Sequence, residues 1–398
     1  MKQIRNIALL LLLTLQQSVY AQSKYDIQKP FGFSTSISRT EAGSFDLTGG
    51  GEYAMPIKGQ HVTLVSTGQP MDKEISAAIK NNSIIIFDGS KGDFIFSKIL
   101  SFKNLTGKTI LGINNARLCT SWYVTDEDRK MLIDAGVPNM KTSSGTGGVL
   151  PNGANIGEEA EYNTRKMLLE KYGNEDYRDA GILAFTNCEN LIIRNLTFAG
   201  PGSIDVGGSD LLTLKATKHV WVDHCDFADG MDDNFDITQS SDFITVSWCR
   251  FHYTDRSFMH QNSNLIGAND REPRGFLNVT FAYNNWGEGC HARMPLARIG
   301  KIHMLCNLYD CVGNVSPCIN PRIDSEVLCE GNYIDQNIKN FFRTKDAKAW
   351  QWQSDNVITN PKANVPLSSG SVTMPYAYPK VKTKNLPEEI RKYVGPTL

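Results

Sequence analysis

From about Ile182 to Tyr333 the chain alternates apolar and polar positions with a period of two, in short runs broken by Gly, Asn, Asp and Pro. The runs repeat. Blocks beginning at Val220, Ile244, Val279 and Ile302 each open on a β-branched residue and close, seven positions later, on an aromatic: Phe227, Phe251, Trp286 and Tyr309. Leu191 to Phe198 and Glu326 to Tyr333 extend the series on either side. A shorter apolar run precedes each block across a polar connection: Ile182 to Phe185, Leu211 to Lys215, Phe235 to Thr238, Leu265 to Gly267 and Leu296 to Ile299. Alternation rich in β-branched and aromatic residues predicts strands rather than helices.

Strands recurring roughly every 24 residues leave too little chain for crossover helices, so each repeat reads as one turn of a solenoid. The expected fold is all-β: a right-handed parallel β-helix with three strands per coil and coils about 4.8 Å apart. On this reading the column Phe198, Phe227, Phe251, Trp286, Tyr309 and Tyr333 stacks inside the solenoid rather than forming a sugar platform. Ile75, Ala78 and Ile79 recur at helical spacing and predict a cap helix over the N-terminal end. Residues 120–180 interrupt the repeat with two helical segments, around Asp126 to Ala135 and Glu158 to Tyr172, which form an insertion acting as a lid or wall. The tail, 361–398, is expected to pack back along the outside, making 22–398 one domain.

Lys2 and Arg5, the apolar run Ile7 to Leu15 and the small residue Ala21 read as a secretory signal peptide over 1–21, too short to span a bilayer. The mature chain is expected to be secreted, to the periplasm or beyond. Loss of those two cations moves the net charge from −1 to about −3, so no global positive field gathers a polyanion and any attraction is local. Nine cysteines match no zinc spacing. Cys225, Cys249 and Cys306 lie in strand runs as small core residues, whereas Cys311 and Cys318 are the candidates for a disulfide.

Against that charge balance the segment from Arg250 to Lys301 is positive, and Arg293-Met294-Pro295-Leu296-Ala297-Arg298 sets two cations at fixed spacing. Upstream stand Trp221-Val222-Asp223-His224, the acids Asp232 and Asp236 before Ile237, and Leu265-Ile266-Gly267. With these motifs in this order from about Gly181 to Tyr309, the chain resembles the pectate lyase family of parallel β-helix enzymes. The resemblance implies calcium as cofactor, with Asp232 and Asp236 as metal-binding acids and Asp210 as a third. It also implies Arg293 as the base that takes the C5 proton of a galacturonate and Arg298 as a cation holding the substrate. Arg256 falls where the family often has a substrate-binding Lys, with His260 and Arg271 as other possibilities for that role.

Physical reading supports the acid grouping. Counting from the equivalence of Val220 and Ile244, Asp210 is expected opposite Asn234 on the next coil, on the face of Asp236. A fully extended 232–236 segment would hold its ends roughly 13 Å apart, too far for one ion, so the chain must bend near Gly230 to Asn234. Asp205, Asp229 and Asp233 remain possible helpers. Arg293 is expected two coils beyond Asp236, roughly 10 Å along the axis. Asp223, His224 and His303 read as structural. The implied activity is calcium-dependent β-elimination of polygalacturonate. Alternatives are a pectin lyase on methylated polymer, a galacturonan hydrolase using Asp232 and Asp233, and a noncatalytic polysaccharide-binding β-helix.

Overall fold

The computed structural model describes residues 23, 26, 28–141, 148–312, 316–338, 340–378, 380 and 382–398. The leader reading of 1–21 lies outside them, and among the described residues no helix is long and apolar enough to cross a membrane. Three parallel sheets of ten, nine and seven strands wind into a right-handed parallel β-helix. Each central coil contributes one strand to each sheet, as with Leu212–Lys215, Lys218–Asp223 and Asp226–Ala228. The repeat register is the one legible in the sequence: Val220 pairs with Ile244, Ile244 with Val279 and Val279 with Ile302.

The inward aromatics stack coil upon coil, with centroids 4.7 Å apart for Phe198–Phe227, 5.2 Å for Phe227–Phe251, 5.5 Å for Phe251–Trp286 and 4.9 Å for Trp286–Tyr309. The expected column stops there. Tyr309 pairs with Ile334 and Tyr333 with Leu308, because the last repeat is displaced by one residue and Tyr333 turns to the other face.

A second column was not anticipated. Asn284, Asn307, Asn332 and Asn356 occupy one corner of successive coils. Each side-chain Oδ1 accepts the backbone N–H of the coil before it, at 2.9 to 3.0 Å, and each Nδ2 donates to a carbonyl there. Cys249 and Cys225 continue the column, the Cys225 N–H meeting Cys249 Sγ. The residue before four of these corners, His224, Trp248, Tyr283 and Cys306, is a non-glycine with positive φ. That left-handed turn costs a non-glycine residue about 1–2 kcal/mol, which the saturated hydrogen bonding of the buried corner offsets.

Helix α1, Asp72–Asn81, closes the N-terminal end with Ile75, Ala78 and Ile79 buried on the solenoid core. The insertion holds α2, Asp126–Asp134, and α3, Glu159–Tyr172. Its apolar side chains Val124, Leu132, Ala160 and Leu168 pack on Ile204, Val206, Met231 and Met259 of the β-helix loops. The chain after the last coil runs back over the outside: Tyr376 bonds to His303 at 2.9 Å, α4 (Leu386–Tyr393) reaches Asp310, and Leu398 meets Asn195.

None of the nine cysteines is in a disulfide. Cys311 and Cys318, the expected pair, are both buried, with Cys311 Sγ 3.8 Å from Met294 Sδ. Their loop folds inward, so the thiols serve as core side chains.

Candidate active site

The acids come together through a bend in the chain. Asp229 turns with φ of 61°, the Gly230 N–H donates to Asn234 Oδ1 at 3.0 Å, and a Cβ on Gly230 would stand 2.3 Å from the Asp233 carbonyl oxygen. The extended strand resumes only at Phe235–Thr238. The seven-stranded sheet pairs Leu212 with Phe235, which sets Asp210 opposite Asp233 rather than Asn234. The sequence count is off by one because the offset between coils is one residue shorter in this sheet than in the ten-stranded sheet.

Asp233 is the centre of the group. Its N–H donates to Asp210 Oδ1 at 3.2 Å, its Oδ2 accepts from Arg293 Nη1 at 2.7 Å, and its buried Oδ1 has no hydrogen-bond partner among the described residues. Asp236 Oδ1 accepts the Leu265 N–H at 2.9 Å, and Asp210 Oδ2 accepts from the Thr213 hydroxyl at 2.9 Å. Asp232 is held by His260, Nε2 to Oδ1 at 2.7 Å, and His260 Nδ1 faces Asp205 Oδ1 at 3.5 Å. Ligand atoms of Asp232, Asp233 and His260 lie within 4.8 Å of one another.

The electrostatics of four buried or half-buried carboxylates are severe. Burial, then the charges of Asp232 and Asp233, push Asp210 well above the usual carboxylate range; burial with Asp210 and Asp233 does the same to Asp236. Asp232 goes down, since the His260 hydrogen bond and charge outweigh its burial. His260 goes well up, its burial overcome by Asp205 and Asp232. These sites suit a hard cation with oxygen ligands, and the orphaned Asp233 oxygen and mutual repulsion of Asp210 and Asp236 are what such an ion would relieve.

Arg293 stands two coils beyond this group, since Asp233 bridges to Asn262 and Asn262 to Ala292. Its long side chain spans the gap and closes on Asp233. Its own backbone is left-handed, with φ of 56°, an unfavourable geometry for Arg that aims the side chain back toward the acids. Burial works against its charge, yet Asp233, Asp232 and Asp236 outweigh burial and raise it above the ordinary guanidinium value. Arg298 differs: burial and the neighbouring Arg322 lower it, while its Nη1 donates to the Gly267 carbonyl at 2.8 Å and its Nε pairs with Asp270 at 3.2 Å.

Arg293, Arg298, Arg322, Arg343 and His260 line one cleft of about 710 Å³, where Glu158 is the only lining carboxylate among the described residues. Glu158 and Pro138 come from the insertion, which is therefore a wall of the cleft. Arg322 was missed by sequence reasoning, although its signal was available: it pairs in register with Arg298 one coil earlier. Arg256, expected to bind substrate, is not among the residues lining this cleft. Asp229 caps its turn by accepting from Thr254 N–H at 2.8 Å and the Ser257 hydroxyl at 2.8 Å. This directs Arg256 to the Gly200 carbonyl, 3.0 Å away, and over Tyr123, in a separate depression shared with Arg117, Asp226 and Arg250. Asp223 and His303 are far from this chemistry in packed networks, Asp223 with Arg194, His224 and Ser247, and His303 with Glu330.

Fold and cleft define the class first: a parallel β-helix that sets buried carboxylates beside a row of guanidiniums along an open groove. Residues 173–396 match the family model described as pectate lyase, and the chain belongs to that family. It is 30% identical over 219 residues to a probable pectate lyase A of Neosartorya fischeri, a match covering 52% of this chain and 63% of that protein. It is 28% identical over 251 residues to a pectate lyase A of Aspergillus niger, covering 61% and 72%. A pectate lyase variant from Xanthomonas campestris has the same fold, with a TM-score of 0.57 over 93% of this chain and 98% of that one at 16% identity. A pectate lyase from Bacillus sp. N165, solved with trigalacturonate, gives 0.55 over 92% and 98% at 18% identity.

Proposed function

We propose that this chain is an exported calcium-dependent lyase that cleaves α-1,4-linked galacturonan by β-elimination, leaving a 4,5-unsaturated uronide. The observation that carries the reading is the contact of Arg293 with Asp233 at 2.7 Å, in a cleft whose other charges are almost all positive. Asp210, Asp232, Asp233 and Asp236 fit a calcium ion, which would supply a positive charge beside the substrate carboxylate and make the C5 proton more acidic. Export is supported by the basic and apolar leader of residues 1–21.

The chain's own residues account for the rest. Arg293 is protonated while Asp233, Asp232 and Asp236 are charged and uncompensated; once those charges are neutralised, burial and the positive neighbour Arg298 act against its proton. An arginine then becomes able to accept the C5 proton, a role its ordinary basicity denies it. Arg298, with its two side-chain contacts fixed, is placed to hold a uronate carboxylate bidentately and to stabilise the charge that develops as the C5–H bond breaks. The electron pair released at C5 forms the C4–C5 double bond and the C4–O bond to the leaving sugar breaks.

Ultraviolet absorbance of polygalacturonate mixed with the protein tests this. The expected result is a calcium-dependent rise, lost in chelator and reduced about 10²–10⁴-fold in Arg293→Ala, the range for removal of a general base. New reducing ends without absorbance would instead indicate hydrolysis, and neither signal a binding protein.

A further inference from the structure

A second set of carboxylates closes the seam between the insertion and the β-helix. Glu158 and Glu161 come from the start of α3 and Asp205 from the loop after the strand Thr197–Ala199. One oxygen of each lies within 4.8 Å of the others. Acids at a helix N-terminus are ordinary, since the positive end of the helix favours them, and that accounts for Glu158 and Glu161. It does not account for Asp205. This residue is 2% exposed, and its buried Oδ2 has no hydrogen-bond partner among the described residues while its Oδ1 faces His260.

The cations around the set are shared with other groups: His260 faces Asp205 at 3.5 Å but is engaged more closely by Asp232, at 2.7 Å. Arg165 touches Glu161 at 3.4 Å but is engaged more closely by Glu175, at 2.7 Å. Arg178, also near Glu161, donates to the Gly207 carbonyl at 2.7 Å. Glu158 has no ion pair among the described residues, and burial followed by the charges of Asp205 and Glu161 raises its proton affinity. Three oxygens within 4.8 Å of one another all lie within about 2.8 Å of a common centre, so a small inward shift of the side chains brings them to the calcium–oxygen distance of about 2.4 Å, with water completing the shell.

We propose that Glu158, Glu161 and Asp205 form a second calcium site, distinct from the acids beside Arg293, which fastens the insertion to the β-helix. The site goes beyond the proposed lyase activity and stands without it. Because Glu158 also lines the cleft and His260 bridges Asp205 to Asp232, an ion here would order the wall of the groove.

Calcium titrated calorimetrically into chelator-stripped full-length protein tests the site. Glu158→Gln/Glu161→Gln is expected to bind one calcium fewer per chain than wild type, whereas Asp236→Asn retains that ion and loses the other. Calcium should slow proteolytic cleavage within residues 120–180 several-fold in wild type and leave the double variant unprotected. Equal thermal midpoints of variant and wild type in chelator would establish that the variant folds; should it not, the partly exposed Glu158→Gln alone gives the same reading. Unchanged calcium stoichiometry and affinity in both Gln variants, or cleavage indifferent to calcium in wild type, overturns the proposal. Loss of binding in Asp236→Asn alone bears only on the lyase reading.

Discussion

Single residues in this chain are held by charge networks whose sign sets their response to pH. Glu330 is the clearest outside the cleft. His303, Lys380 and Tyr378 outweigh the cost of burying it and bring its carboxyl from 4.5 down to about 2. A carboxylate depressed by folding contributes stability that is fully present above its unfolded value and is lost as pH falls from about 4.5 toward 2. His303, lowered from 6.5 by burial, acts in the same direction: below its ordinary value the unfolded chain takes up a proton that the folded imidazole resists. The denaturant midpoint is therefore expected to decline from near neutrality and to steepen below pH 4.5. Glu330→Gln should be less stable at pH 7 and lose the steep limb, and a parallel decline in both proteins would show that other groups dominate. Of the residues gathered at the candidate site, Arg293, Arg298, Asp210, Asp232 and Asp236 were legible as motif members. The pairing of Arg293 with Asp233 and the departure of Arg256 from the cleft were not, because both depend on where loops turn rather than on spacing within a strand.

At the level of elements, two columns run along the solenoid and make separate contributions. Trp286 lies between Phe251 and Tyr309 and also donates its indole N–H to Asn264 at 2.9 Å. Trp286→Ala should cost about 3–5 kcal/mol, the range for emptying a large buried aromatic site. Asn284→Ala leaves the Cys249 N–H and the Val246 carbonyl without their partner and should cost about 1–3 kcal/mol by desolvation alone. Chemical denaturation of both variants measures this, and a loss below 0.5 kcal/mol for Asn284→Ala would mean that water replaces the ladder. The aromatic column was visible in the sequence because one position recurs as Phe, Trp or Tyr. The corner column was harder to see, since Cys and Asn share it and only a buried backbone N–H explains why both fit.

For the whole molecule, the three sheets, the cap helix and the returning tail enclose one continuous apolar core from Met71 to Trp352, with the nine thiols absorbed into the packing or its edge. Reductant should leave the melting temperature unchanged, and thiol-specific labelling of unfolded, unreduced protein should count nine groups; a lower count would restore the Cys311–Cys318 bridge. The sequence by itself determined the solenoid, its strand order and the register of the ten-stranded sheet, because a period of two in β-branched and aromatic residues admits only one face inward per strand. It also placed the motif cations and acids on neighbouring coils. Only the tertiary structure decided which of them meet. Asp233 lies at the centre of the acids because one sheet is a residue shorter in its repeat than its neighbour. The insertion becomes a wall because Pro138 and Glu158 face the groove, and Arg256 leaves because Asp229 caps its turn. Contacts between loops from different coils follow from the path of the backbone through space, and no local pattern of apolar and polar residues encodes that path.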